Sequence, residues 1–217
     1  MKKQAPEKLP ANPERKEERA LFSAGYSRVA GVDEAGRGAL AGPVVAAVVV
    51  LPEKAGFRWL SRVKDSKLLG VNVREELYTR MHRSGLDIGI AVVGADVIDE
   101  INILNATKRA MKMAIERLPE PPDFVLTDAV PLPRFHIPQK NIIKGDRLCT
   151  VISCASVIAK VVRDRIMLDL DTQYPQYGFA SHKGYGTSGH LECLRRYGAC
   201  KEHRTTFGPV KELERLI

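Results

Sequence analysis

The chain lacks any uninterrupted apolar run of about 18 residues, so nothing in its sequence suits a membrane-spanning helix. Its four cysteines, Cys149, Cys154, Cys193 and Cys200, form no C-x-x-C pair, and none stands at zinc-finger spacing from a histidine. That pattern excludes the common structural zinc sites and reads as four reduced, structural thiols, expected in a cytoplasmic protein. The first twenty residues, "MKKQAPEKLPANPERKEERA", lack the apolar core of a secretory signal. Their mixed charges and three prolines suit a disordered basic tail, expected over residues 1–22. No internal repeat or low-complexity segment interrupts the rest. The run "GRGALAG" has neither a Walker lysine nor dinucleotide-fold spacing, which excludes the usual nucleotide-phosphate cradles.

What is present is positive charge. The 217 residues hold 34 Lys and Arg against 26 Asp and Glu, a formal net charge of +8. That balance favours a polyanionic partner, nucleic acid or a membrane surface. With 44% apolar and 28% charged residues, the composition is that of a globular protein with one well-buried core. Residues 42–51, "GPVVAAVVVL", form a valine-rich run that predicts a buried strand. "SRVAGVDEAGRG" and residues 85–94, "GLDIGIAVVG", predict two more. "NVREELYTRM" predicts a helix with Asn72 as its N-cap. Residues 97–118 predict one long helix with an apolar stripe through Ile101, Leu104, Ala110, Met111, Ala114 and Leu118, stopped by "PEPP". Strands at residues 123–130 and around "QKNIIKGD" follow, then a helix over about 148–170 and a short one over about 188–197. Three strands, helix, strand, helix is an α/β order with a mixed central sheet flanked by helices.

Four acids stand apart from the surface charge. Asp33 and Glu34 are adjacent, and two carboxylates about 4 Å apart repel by roughly 4 kcal/mol at an effective dielectric near 20. Asp128 follows the apolar "FVL", and Asp146 follows "IIKG", each where an apolar run gives way to a loop. Ligands and catalytic groups collect at the carboxyl ends of strands in such sheets. Four hard-oxygen donors gathered there suit Mg²⁺ or Mn²⁺ rather than zinc. Neighbours on a regular strand point to opposite faces, so Asp33 and Glu34 can share a site only at a bulge or a strand end. The glycines at 36 and 38 predict the strand end.

The blocks "GVDEAGRGALAGPVVAAVVVL", "KDSKLL", "ILNATKRAMKMAI", "LTDAV", "IIKGD", "SVIAKVVRDRIM", "SHKGYGTSGH" and "EHRTTFGPV" together resemble the bacterial-type ribonuclease HII family, in its order and spacing. The resemblance implies a ribonuclease H-like fold over residues 23–217, with a C-terminal helical element from about residue 175. It implies an endonuclease that hydrolyses RNA in RNA–DNA hybrids and cuts duplex DNA 5′ to single ribonucleotides. It places metal-binding, catalytic acids at Asp33, Glu34, Asp128 and Asp146, with two Mg²⁺ or Mn²⁺ ions when substrate is bound. It places substrate contacts at Gly36, Arg37 and Gly38 beside a ribose 2′-hydroxyl, and at Ser66 and Lys67 on phosphate. Tyr185 then packs against the deoxyribose after the ribonucleotide. Two departures stand out: Ala129 occupies a position where the family commonly has glycine, and Cys154 lies where small alanines are usual.

Read structurally, Ser66 is a local cap, Tyr185 a loop aromatic, and Asp164 a helix ion pair or a support for the metal site. Other functions remain open on the sequence. A junction-cleaving DNA nuclease on the same fold would not depend on a 2′-hydroxyl, and a binding scaffold would have no use for four hard-oxygen ligands. The type III relatives, which carry a sizeable N-terminal substrate-binding domain, fit the short tail and the Gly-Arg-Gly motif less well. "VKELERLI" lacks the paired aromatics expected for clamp binding, so a monomer without that tether is the expectation.

Overall fold

In a computed structural model describing residue 10 and residues 12–214, a five-stranded sheet carries the site. Its strands are β1 (Val29–Ala35), β2 (Val44–Val50), β3 (Ile88–Val93), β4 (Phe124–Asp128) and β5 (Gln139–Ile142), in spatial order β3-β2-β1-β4-β5. The first three are antiparallel neighbours, whereas β4 lies parallel to both β1 and β5. The sheet is therefore mixed, as the order of elements predicts. Every residue of β2 is buried, because both faces of this valine and alanine strand are covered.

One face is covered by α6 (Thr150–Gln173), the longest helix, with α2 (Val71–Arg83) beside it. The other face is covered by α3 (Ala95–Ile101) and α4 (Ile103–Glu116). The helix α6 crosses β1 so closely that a Cβ on Gly31 would sit 2.4 Å from the Val151 carbonyl carbon. Only glycine admits that approach, which fixes the helix against the strand that bears Asp33. Beyond α6 the described chain is helical: α7 (Phe179–His182), α8 (Ser188–Tyr197) and α9 (Gly208–Glu214). Among the described residues no helix is long and apolar enough to cross a membrane.

Three local expectations are corrected. The tail expected over 1–22 falls partly outside the described residues, at 1–9 and 11, but from Asn12 onward it is ordered chain. Lys16–Ser23 form helix α1, whose Glu18 is fully buried and accepts the Val151 amide at 2.9 Å. An acid facing the unpaired amides at the start of α6 does there what a cap does locally. The single helix over 97–118 is two helices, because Asn102 takes a φ of 64° and its side chain caps α4 by accepting the Asn105 amide at 3.1 Å. Leu104 turns outward, whereas Ala110, Met111, Ala114 and Leu118 of the expected stripe are buried, joined by Ala106 and Ile115. At α2 the N-cap is Gly70, not Asn72, and no side chain caps it.

Candidate active site

A cleft of about 750 Å³ opens where β1 and β4 end. The parallel pairing of β1 with β4 stops at Val32 and Thr127, leaving Asp33, Glu34 and Asp128 at the parting of the two strands. The antiparallel register with β2 continues unbroken through Asp33, Glu34 and Ala35, so no bulge is present and the strand-end reading is the correct one. The alternating pleat sends Asp33 toward α6 and Glu34 toward α4. Both nevertheless line one cleft with Asp128, because β1 and β4 part at that point.

Around these acids the cleft gathers Gly36, Arg37 and Gly38 from the turn after β1, Ser66 and Lys67 from a short 3-10 helix, and Tyr185 from the loop between α7 and α8. Sequence reading missed four lining residues: Ala35, Ile103, Ser156 and Lys160. Ser156 and Lys160 stand one turn apart on α6, and that spacing was the signal available. Asp146 is the exception among the predicted acids. It is buried at the start of α5 (Gly145–Leu148), off the cleft lining, with its Oδ2 3.7 Å from the Lys67 Nζ.

The supporting contacts are specific. The Gly145 amide donates to Asp128 Oδ1 at 2.8 Å, tying the end of β4 to the turn that carries Asp146. Ala129 has a φ of 53°, and the Val130 amide closes a three-residue turn on the Asp128 carbonyl at 2.6 Å. A residue with a Cβ is strained there, which glycine would not be. The local cap of the 3-10 helix is Asp65, which accepts the Lys67 amide at 3.0 Å, whereas the buried Ser66 hydroxyl faces Ser156 at 2.9 Å. Asp164 pairs with neither neighbouring arginine. It holds Lys160 at 2.6 Å and Arg74 at 3.4 Å, and Arg74 in turn donates to the Ser66 and Leu69 carbonyls.

All four acids are held above their ordinary carboxylate values. Burial comes first in each case, reinforced at Asp33 by Glu34 and Asp128, and at Asp146 by Asp128 and Asp65. Asp33 lies well above. Arg37, 3.2 Å from Glu34 Oε1, offsets part of the charge on that side, yet Glu34 Oε2 is buried without a hydrogen-bond partner. Burial opposes the Lys67 ammonium, but Asp146, Asp65, Asp33 and Asp128 outweigh it and raise its pKa.

No three Asp, Glu, His or Cys side chains among the described residues stand close enough together to grip an ion as they are. The donor chemistry nevertheless fits a hard divalent cation: carboxylate oxygens alone, mutually repelling, one of them an orphaned buried oxygen.

The sequence matches the ribonuclease HII family over residues 30–210. It is 52% identical over 196 residues to the ribonuclease HII of Geobacillus kaustophilus, covering 90% of this chain and 74% of that protein. It is 47% identical over 201 residues to the ribonuclease HII of Dehalococcoides mccartyi, covering 93% and 95% of the two chains. The solved ribonuclease H2 of Pyrococcus horikoshii superposes with a TM-score of 0.73 at 28% identity, covering 87% of this chain and 98% of that one. With its α/β ribonuclease H-like fold and a cleft lined by acids, the chain belongs to the ribonuclease HII family and is a ribonuclease H, a phosphodiester hydrolase.

Proposed function

We propose that the cleft hydrolyses the RNA strand of RNA–DNA hybrids and cuts duplex DNA on the 5′ side of a single embedded ribonucleotide. The observation that carries this reading is the meeting of Asp33, Glu34 and Asp128 with the Gly36–Arg37–Gly38 turn and Tyr185 in one cleft. Water attacks phosphorus, the P–O3′ bond breaks, the upstream nucleotide keeps a 3′-hydroxyl and the ribonucleotide keeps a 5′-phosphate.

Asp33, Glu34 and Asp128 would hold Mg²⁺ or Mn²⁺, with Asp146 completing the set and helping to move the proton. When bound, such ions make water a better nucleophile and stabilise charge on the departing oxygen. The glycines at 36 and 38 leave the backbone open to a 2′-hydroxyl, the group that separates RNA from DNA. Arg37, partly exposed at the rim, is free to turn from Glu34 to the adjacent phosphate, and Lys67 and Lys160 add phosphate contacts. Tyr185 packs its ring against the following deoxyribose, where a 2′-hydroxyl would collide. The net charge of +8 supplies salt-sensitive affinity for the duplex backbone.

The test is cleavage of a labelled duplex carrying one ribonucleotide, with Mg²⁺ or Mn²⁺, beside an all-DNA duplex and the Asp33→Asn protein. A single cut 5′ to the ribonucleotide, absent from both controls, is the expected result. Equal cutting of plain DNA, or no cut at all, overturns the reading.

A further inference from the structure

Among the described residues, the largest fully buried side chains are two arginines, Arg163 and Arg204. Every hydrogen bond that the structure gives their guanidinium groups ends on a backbone carbonyl. Arg163 donates from Nε to Pro43 at 2.9 Å, from Nη2 to Ala41 at 3.1 Å and from Nη1 to Lys183 at 2.9 Å. Arg204 donates from Nε and Nη2 to Gly42 at 3.1 and 2.8 Å, and from Nη1 to Arg37 at 2.9 Å. A buried cation without a counter-ion is a costly way to fill a core. What a guanidinium supplies there is a rigid planar fork that holds several carbonyls in set directions, which a lysine cannot reproduce.

The carbonyls belong to the two walls of the cleft. Residues 41–43 continue the Gly36–Arg37–Gly38 turn, whereas Lys183 lies two residues before Tyr185. Arg163 also touches both walls with its body. Its guanidinium carbon lies 5.4 Å from the Tyr185 ring centroid, and a Cβ on Gly36 would fall 2.0 Å from its Nε. The walls also meet directly, where the Leu40 amide donates to the Gly184 carbonyl at 2.8 Å and the Leu40 side chain lies against Gly186. A second anchor reaches Tyr185 from behind, since its carbonyl is bonded by His190 Nδ1 at 3.0 Å.

We propose that Arg163 is a positioning residue that sets the spacing between the Gly36–Arg37–Gly38 turn and the Tyr185 ring, and so sets the preference for an RNA-to-DNA junction. Arg204 holds only the first wall, through Arg37 and Gly42. This rests on the roles given above to the turn and to Tyr185. Arg163 does not line the cleft and touches no substrate.

The two arginines then differ in what their loss does. The readout is the ratio of kcat/KM on a duplex with one ribonucleotide to kcat/KM on a uniform RNA–DNA hybrid. Arg163→Lys is expected to lower this ratio about tenfold, with uniform-hybrid cleavage reduced much less. In a Tyr185→Ala background, which itself lowers the ratio, Arg163→Lys should add no further loss, since both act through one contact. Arg204→Lys should instead weaken both substrates together, with KM rising and the ratio held within about twofold. Should Arg163→Lys fail to fold, Arg163→Gln keeps two donors without the buried charge and reads the same ratio. Parallel loss on both substrates for Arg163, or losses that multiply in the double variant, overturns the inference while leaving the proposed function intact. A parent protein with no junction preference, or a Tyr185→Ala protein that keeps it, overturns the reading on which the inference rests.

Discussion

The carboxylates of the cleft are buried (Asp33) or partly buried (Glu34 and Asp128), the two arginines beside it fully so, and the two sets are satisfied to different degrees. Arg163 and Arg204 spend their donors on five carbonyls, so their hydrogen-bonding needs are met within the protein. Burial still pulls Arg204 down to about 9, with Arg163's own charge adding to the effect. The acids have no such cage: burial and mutual repulsion lift them all, and Glu34 Oε2 has no partner. A buried charge saturated by protein dipoles is part of the architecture. Several acids left unsaturated together in one cleft suit a cation that arrives from outside.

The comparison breaks if the two sets respond alike to neutralisation. Asp33→Asn is expected to cost at least about a thousandfold in cleavage, as loss of a group that acts in the reaction does. The same variant should be more stable than the parent in metal-free buffer, by about 1–2 kcal/mol or a few degrees in Tm, because it removes a repelling buried charge. Cleavage assays paired with thermal melts check both halves, and a destabilised Asp33→Asn protein would count against them. Arg163→Met should do the reverse, losing about 3–5 kcal/mol of stability because three buried carbonyls lose their donor. Denaturant unfolding of Arg163→Met reads that loss.

A pH series sharpens the contrast. Asp33 has its folded pKa raised well above the ordinary 3.8, so its protonated form favours folding. That contribution is fully present below about pH 4 and is lost as pH rises through the raised value. The stability advantage of Asp33→Asn over the metal-free parent should therefore grow across that window and level off above it. Adding Mn²⁺ should raise the Tm of the parent, more at pH 8 than at pH 5, because protons and cations compete for the same oxygens. Scanning calorimetry at several pH values measures this, with an effect of about 1–3 kcal/mol at saturating metal. The smallest effect concerns backbone strain beside the site. Ala129→Gly should stabilise the protein by about 1 kcal/mol, since glycine takes a positive φ without penalty. An unchanged or lowered Tm in that variant would show that the turn at Asp128 is unstrained.

Much of the site was legible before the fold. Adjacent Asp33 and Glu34 next to two glycines, and Asp128 and Asp146 each closing an apolar run, are local patterns set by the poor tolerance of strands for unpaired charge. The residues that escaped notice are those whose local setting is ordinary. Ser156 and Lys160 look like any polar positions on a mostly buried helix, and only the crossing of α6 over β1 turns them into the cleft. Nothing in the local sequence distinguishes Arg163 and Arg204 from their charged neighbours, and their carbonyl partners lie from 20 to 167 residues away. The part of the expected tail that falls in helix α1 was misread for the same reason: Glu18 gains its place by meeting Val151, 133 residues on.

Taken alone, the sequence determined the mixed α/β class, the strands and most helices, and singled out Asp33, Glu34 and Asp128, which the fold brings to one cleft, because these depend on patterns spanning a few neighbouring residues. Tertiary structure decided how opposite-facing Asp33 and Glu34 share one site, that Asp146 sits behind the cleft lining and faces Lys67 on it, and which arginines are buried. Those outcomes depend on which distant segments are brought together, and hydrophobic burial makes that choice over the whole chain at once.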